Sequence, residues 1–112
     1  MSYHNYENTP SLEELREIVD KSFSMGADIA KVAVLNQSAH DAARVLSLCA
    51  DKRAVVPLGM GHHGRITRAA GILLTSPFTF VATSPEAATA PGQTSAEELH
   101  SIIEILRPTD VP

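Results

Sequence analysis

A lysine inside an apolar run is the first feature with chemical consequences. Lys31 interrupts residues 28–35, a stretch otherwise made of Ile29, Ala30, Val32, Ala33, Val34 and Leu35 after its opening aspartate. Burying an ammonium is costly unless it is paired, and burial favours the neutral amine. A neutral lysine is a nucleophile towards ketones and gives a Schiff base. The same position also suits an ordinary lysine that reaches solvent from the end of a strand. His4, in Ser2-Tyr-His-Asn5, stands just ahead of a helix start and so falls at the C-terminal end of a strand. Imidazole there is a natural general acid–base. Taken alone, a histidine at such a position is more often a loop hydrogen-bonder than a catalyst.

Gly59-Met-Gly-His-His-Gly64 offers two further chemistries and supports neither strongly. The glycine spacing matches neither the P-loop nor the dinucleotide fingerprint. His62 and His63 are adjacent on a loop without a nearby third ligand, which is weak evidence for a metal. The glycines are better used to turn the backbone tightly after a strand. Arg65 and Arg68 follow at a helix start, where cations oppose the helix dipole. Pairing with an anionic substrate is the functional alternative to plain solvation. Thr89 and Gln93 flank Ala-Pro-Gly in a turn that either connects two elements or closes over a polyhydroxylated ligand.

The elements that must position these groups alternate. Ser11 with Glu14 forms a capping box, and Leu12, Leu15, Ile18, Val19 and Phe23 recur at helical spacing until Gly26. Residues 28–35 then read as a strand buried on both faces. Ser38 with Asp41 starts a helix carrying Ala42, Val45, Leu46 and Cys49. Residues 54–59 read as a strand, although Pro57 cannot donate to a ladder. Residues 66–74 suggest a short helix, and residues 78–82 a further strand. A last helix starts at Thr94 or Ser95, shows Leu99, Ile102, Ile103 and Leu106, and stops before Pro108. The order α-β-α-β-α-β-α calls for a parallel α/β architecture. Three such strands leave two bare edges, and the chain opens with loop-like residues, as though it begins in the middle of a larger unit.

Composition narrows the classes. At 112 residues, 44% hydrophobic and 20% charged, the chain is one globular domain at most and not a disordered one. A formal net charge of −4 leaves no basic surplus for phosphates, which argues against nucleic acid as a partner. No run approaches the ~18 apolar residues of a membrane span. The N-terminus lacks the basic start and apolar run of a signal peptide. Cys49 is the single cysteine, which excludes an internal disulfide and favours a reducing, cytoplasmic setting.

Taken in order, Ser2-Tyr-His-Asn-Tyr6 with Thr9-Pro10, Gly26-Ala-Asp-Ile-Ala-Lys-Val-Ala33, Met60-Gly-His-His-Gly-Arg-Ile-Thr-Arg68, Thr79-Phe80 and Ala90-Pro-Gly-Gln93 resemble the C-terminal half of type I 3-dehydroquinate dehydratase. The resemblance runs from position 2 to about 107, leaving residues 108–112 as a tail or the start of a linker. It implies the C-terminal part of a (β/α)8 TIM barrel, about three full parallel strands with four helices. By the same resemblance, Lys31 forms the Schiff base with 3-dehydroquinate and His4 is the general acid–base. Arg68 pairs with the substrate carboxylate, while Thr89 and Gln93 belong to the substrate loop. The implied reaction is dehydration to 3-dehydroshikimate in the shikimate pathway of aromatic amino acid biosynthesis, with no metal or organic cofactor.

Some positions depart from the family. Thr67 and Thr89 stand where serine is frequent, and Val81 stands where glycine is usual. The family's first four strands, and nearly all of the fifth, have no counterpart among these residues. A partial barrel cannot close alone, so the expectation is a weak or inactive isolated chain, completed by a second copy or by the missing N-terminal half. The rival expectation is a non-catalytic half barrel that dimerises or binds a ligand. A Schiff-base enzyme of the class I aldolase kind is a third, made less suitable by Ala90-Pro-Gly-Gln93.

Overall fold

The computed structural model describes residues 1–74 and 95–106. Strands β1 (Ser2–Asn5), β2 (Ala30–Leu35) and β3 (Val55–Met60) form a parallel sheet in the order β1-β2-β3. Helices α1 (Leu12–Ser24), α2 (Ala39–Leu46), α3 (Ile66–Leu74) and α4 (Ala96–Leu106) accompany it. The strand anticipated at residues 78–82 lies outside the described residues, as do Thr89, Gln93 and the tail 108–112.

The helix signals act as local chemistry dictates. The Ser11 hydroxyl accepts from the Glu14 amide at 3.2 Å, Ser38 accepts from Asp41 at 3.2 Å, and Ser95 accepts from Glu98 at 3.2 Å. Each satisfies an amide that the first helical turn leaves without a partner. Gly26 ends α1 at φ +94°, a conformation open to glycine. One expectation needs adjustment. Cys49 falls outside α2, in a 3-10 turn over Ser47–Ala50. The opening residues, loop-like in composition, form the strand whose C-terminal end His4 is expected to occupy, because β2 offers them an edge: the Lys31 amide donates to the Met1 carbonyl at 3.0 Å.

Pro57 sits within β3 at no cost to the ladder. Ala30 N–H donates to Ala54 O and Asn36 N–H to Met60 O. The even-numbered residues of β3 therefore bond to β2, while Pro57 turns its missing N–H away. Gly59, two residues on, faces the same way and donates instead to Thr67 Oγ1 at 2.8 Å.

Alternation separates the two faces of the sheet. Tyr3, Val32, Val34 and Val55 pack with Leu15, Val19, Val45 and Leu48 of the helical layer. Ala33, Val56 and Leu58 form a second cluster, with Ile29 and Met60 against it. His4 and Lys31 alternate with residues of the first cluster, so they project from the opposite face.

The β3–α3 connection is tight backbone engineering. Gly59 and Gly64 lie back to back, so a Cβ on Gly64 would collide with the Gly59 backbone. Backbone cannot move aside as a flexible side chain can. Gly64→Ala is expected to lower stability by about 1–3 kcal/mol or more, read as a lower urea midpoint at unchanged slope. An unchanged midpoint would show that the two glycines are not in contact.

Candidate active site

Parallel pairing sets the depth of each group. Ser2 is opposite Lys31 and His4 is opposite Ala33, so His4 stands two residues nearer the C-terminal end of the sheet than Lys31. Both belong to the face away from the helices. Lys31 is half-buried and His4 is exposed, its ring stacked on Tyr6 with centroids 5.9 Å apart and planes 7° from parallel. Asn5 fixes the turn that follows by accepting from the Glu7 and Asn8 amides at 2.9 and 3.0 Å.

Arg68 reaches the same site from α3. It is half-buried, and its Nη1 is enclosed with no hydrogen-bond partner among the described residues. A guanidinium stays charged in proteins, and an enclosed N–H without an acceptor is costly. Such a group is suited to a carboxylate, which accepts in a fork geometry. Thr67, 1% exposed, holds the helix start behind it: its hydroxyl donates to Gly64 O at 2.6 Å while accepting from Gly59 N.

Electrostatics joins the two cations. Burial pushes the Lys31 amine below the ordinary lysine range, and the Arg68 charge pushes it the same way. Below 10.5, the unfolded value, the unfolded chain holds this proton more tightly than the fold does. Charging Lys31 therefore opposes folding, and this group's contribution to stability rises with pH from the lowered folded value up to 10.5. The free amine is correspondingly available at lower pH than in a solvated lysine. Arg68→Met removes one of the two causes, so the pH midpoint of Lys31 reductive alkylation is expected to move up towards 10.5, without reaching it. A midpoint that stays put would separate Arg68 from the lysine.

The fold thus sets Lys31 and His4 on one face of the sheet, with Arg68 near enough for its charge to act on Lys31. Thr89 and Gln93 lie outside the described residues. His62, His63 and Arg65 point elsewhere, lining an apolar groove of about 580 Å³ between α3 and α4. Among the described residues no cluster of three or more metal-ligating side chains occurs. Sequence reasoning missed Asn36, which is 3% exposed and hydrogen-bonded to Thr9 at 2.8 Å. An asparagine after a strand reads as a turn residue, and nothing in its spacing signals burial.

A parallel sheet with helices on one face and chemically capable side chains on the other is the layer pattern of part of a (β/α)8 barrel. A family model described as type I 3-dehydroquinase matches residues 1–110, and the chain belongs to that family. The 3-dehydroquinate dehydratase of Methanothermobacter thermautotrophicus is 43% identical over 110 residues, covering 98% of this chain and 48% of the relative. That of Methanosarcina barkeri is 36% identical over 110 residues, covering 95% and 46%. Among solved structures, the 3-dehydroquinate dehydratase of Geobacillus kaustophilus HTA426 superposes with a TM-score of 0.82 at 33% identity, over 94% of this chain and 42% of that one. The chain spans about half the length of the curated relatives it matches.

Proposed function

We propose that the chain supplies the Schiff-base half of a 3-dehydroquinate dehydratase. Neutral Lys31 attacks the C3 ketone and loses water to give an iminium. The iminium is an electron sink that acidifies the neighbouring C–H, and His4 removes the C2 proton. The electrons pass into an enamine, then expel the C1 hydroxyl, to which His4 returns the proton, as water. A second water hydrolyses the conjugated iminium, releasing 3-dehydroshikimate and the free lysine, so one water is lost overall. Arg68 pairs with the substrate carboxylate, and Thr89 and Gln93 close the substrate loop. The chemistry needs neither metal nor organic cofactor, and its place is the cytoplasmic shikimate pathway.

The observation that carries this reading is the enclosed Arg68 Nη1, without a hydrogen-bond partner among the described residues, beside a lysine whose amine is shifted towards neutrality. Four or so strands cannot close a barrel of eight, and loss of surrounding groups removes preorganisation worth several kcal/mol of barrier. The 112 residues alone are therefore a weak catalyst or none. Full turnover needs further strands, from a second copy or from a segment equivalent to the relatives' other half. The partners are a small anionic substrate and that completing segment, with no role for nucleic acid or membrane. Among the described residues no helix is long and apolar enough to cross a membrane.

The test is the ultraviolet absorbance of the conjugated enone product, followed with the chain alone and with the N-terminal half of a relative added. Little or no turnover alone and clear turnover together is the expected pair of results. A folded, completed barrel that produces no enone would favour the non-catalytic half-barrel module instead.

A further inference from the structure

We propose that Asn36 is a positioning residue that spans the three strand ends of the candidate site, an inference that rests on the dehydratase reading above. It follows β2 directly and is 3% exposed. Its backbone N–H donates to Met60 O at 3.1 Å, at the end of β3. Its Nδ2 donates to Thr9 Oγ1 at 2.8 Å, and Thr9 Oγ1 donates in turn to Leu35 O at 2.7 Å. Because the threonine proton is already committed to Leu35, the hydroxyl must accept from the asparagine, which orients the amide.

The other end of that amide points at β3. Asn36 Oδ1 is enclosed, has no hydrogen-bond partner among the described residues, and occupies the space that a Cβ on Gly59 would need. Gly59 passes the contact on: its N–H donates to Thr67 Oγ1, the residue before Arg68. A continuous buried chain therefore runs from Thr9, on the connection after His4, through Asn36, five residues beyond Lys31, to Gly59, Thr67 and the start of α3. Arg44 secures the Thr9 end, its Nη1 donating to the carbonyls of Thr9 and Pro10 at 3.1 and 3.3 Å. One amide thus sets the spacing between the connection that follows the acid–base's strand and the helix bearing the carboxylate clamp, with the nucleophile's strand between them. Buried polar groups satisfied on one side only are sensitive to small displacements, which makes Asn36 a spacer and not a filler.

The experiment uses the full chain with Asn36→Ala, Thr9→Val and Thr9→Ser. Two quantities are read: backbone hydrogen exchange, and the dependence of borohydride trapping at Lys31 on 3-dehydroquinate concentration. Asn36→Ala is expected to speed exchange about 10-fold or more in both 5–10 and 59–68, with α1 unchanged. Thr9→Val should do the same, and Thr9→Ser, which keeps the hydroxyl, should behave as the unsubstituted chain. Half-saturating 3-dehydroquinate should rise about 10-fold in Asn36→Ala while the limiting trapping rate changes less than 3-fold, because Lys31 itself is untouched. Exchange that stays slow in either segment, or a fall in limiting rate at unchanged half-saturation, would overturn the spacer role. If the unsubstituted chain, completed by the N-terminal half of a relative, does not trap 3-dehydroquinate, the dehydratase reading fails, and the exchange pattern still decides whether Asn36 joins the two segments.

Discussion

Lys31→Ala is expected to abolish both covalent capture of 3-dehydroquinate and dehydration by the completed barrel. The loss should be on the order of 10³-fold or more, equivalent to about 4 kcal/mol of barrier. No other described side chain on that face can form an imine, and the remaining lysines, Lys21 and Lys52, are exposed on the helical layer and in the turn before β3. Lys31→Arg should fail equally, because a guanidinium keeps its proton. The loss must not come from unfolding. Charged Lys31 opposes folding at neutral pH, since burial and Arg68 both disfavour its proton, so Lys31→Met should be at least as stable as the unsubstituted chain in urea. An inactive, stable Lys31→Met protein separates chemistry from architecture, whereas retained turnover would remove the lysine from the mechanism.

His4→Ala should give the complementary split. Imine formation is the work of Lys31, so the adduct should still form and still be trapped by borohydride. Proton removal from C2 and water departure at C1 should slow by about 10²–10⁴-fold, the usual contribution of a positioned general acid–base. His4 suits that role by place: it shares the face of Lys31, two residues nearer the strand ends. Its ring lies in the open against Tyr6, where a substrate can reach it. The trapped species should accumulate with its C1 hydroxyl intact, one water heavier than the dehydrated form. Equal loss of trapping and turnover in His4→Ala would assign the histidine to binding.

The helices were legible because their signals are local. Ser11, Ser38 and Ser95 each cap the helix that the spacing suggests, and Gly26 ends α1 as a positive φ requires. β2 was legible from its apolar run, and Lys31 stood out because a charge inside such a run demands a reason. What stayed hidden was non-local. Pro57 argues against a strand until the ladder direction is known, and only pairing with β2 shows that its N–H would face outward. Residues 2–5 are loop-like in composition, and only the helix start after His4 hints at the strand that β2 pairs with. Asn36 and Thr67 carry no periodic signature, since their burial depends on glycines at 59 and 64 brought together by the fold. The Lys31, His4 and Arg68 grouping came from the order of separated motifs, because no spacing rule brings positions 4, 31 and 68 together.

The central claim is that one amine, at position 31, captures the substrate ketone. Incubation of the chain, alone and with the complementing N-terminal half, with 3-dehydroquinate and borohydride, followed by peptide mass mapping, tests it directly. The expected result is one stoichiometric adduct on the peptide containing Lys31, with Lys21 and Lys52 unmodified. A folded, complemented protein in which Lys31 remains unmodified, or is modified no more than the two exposed lysines, would contradict it.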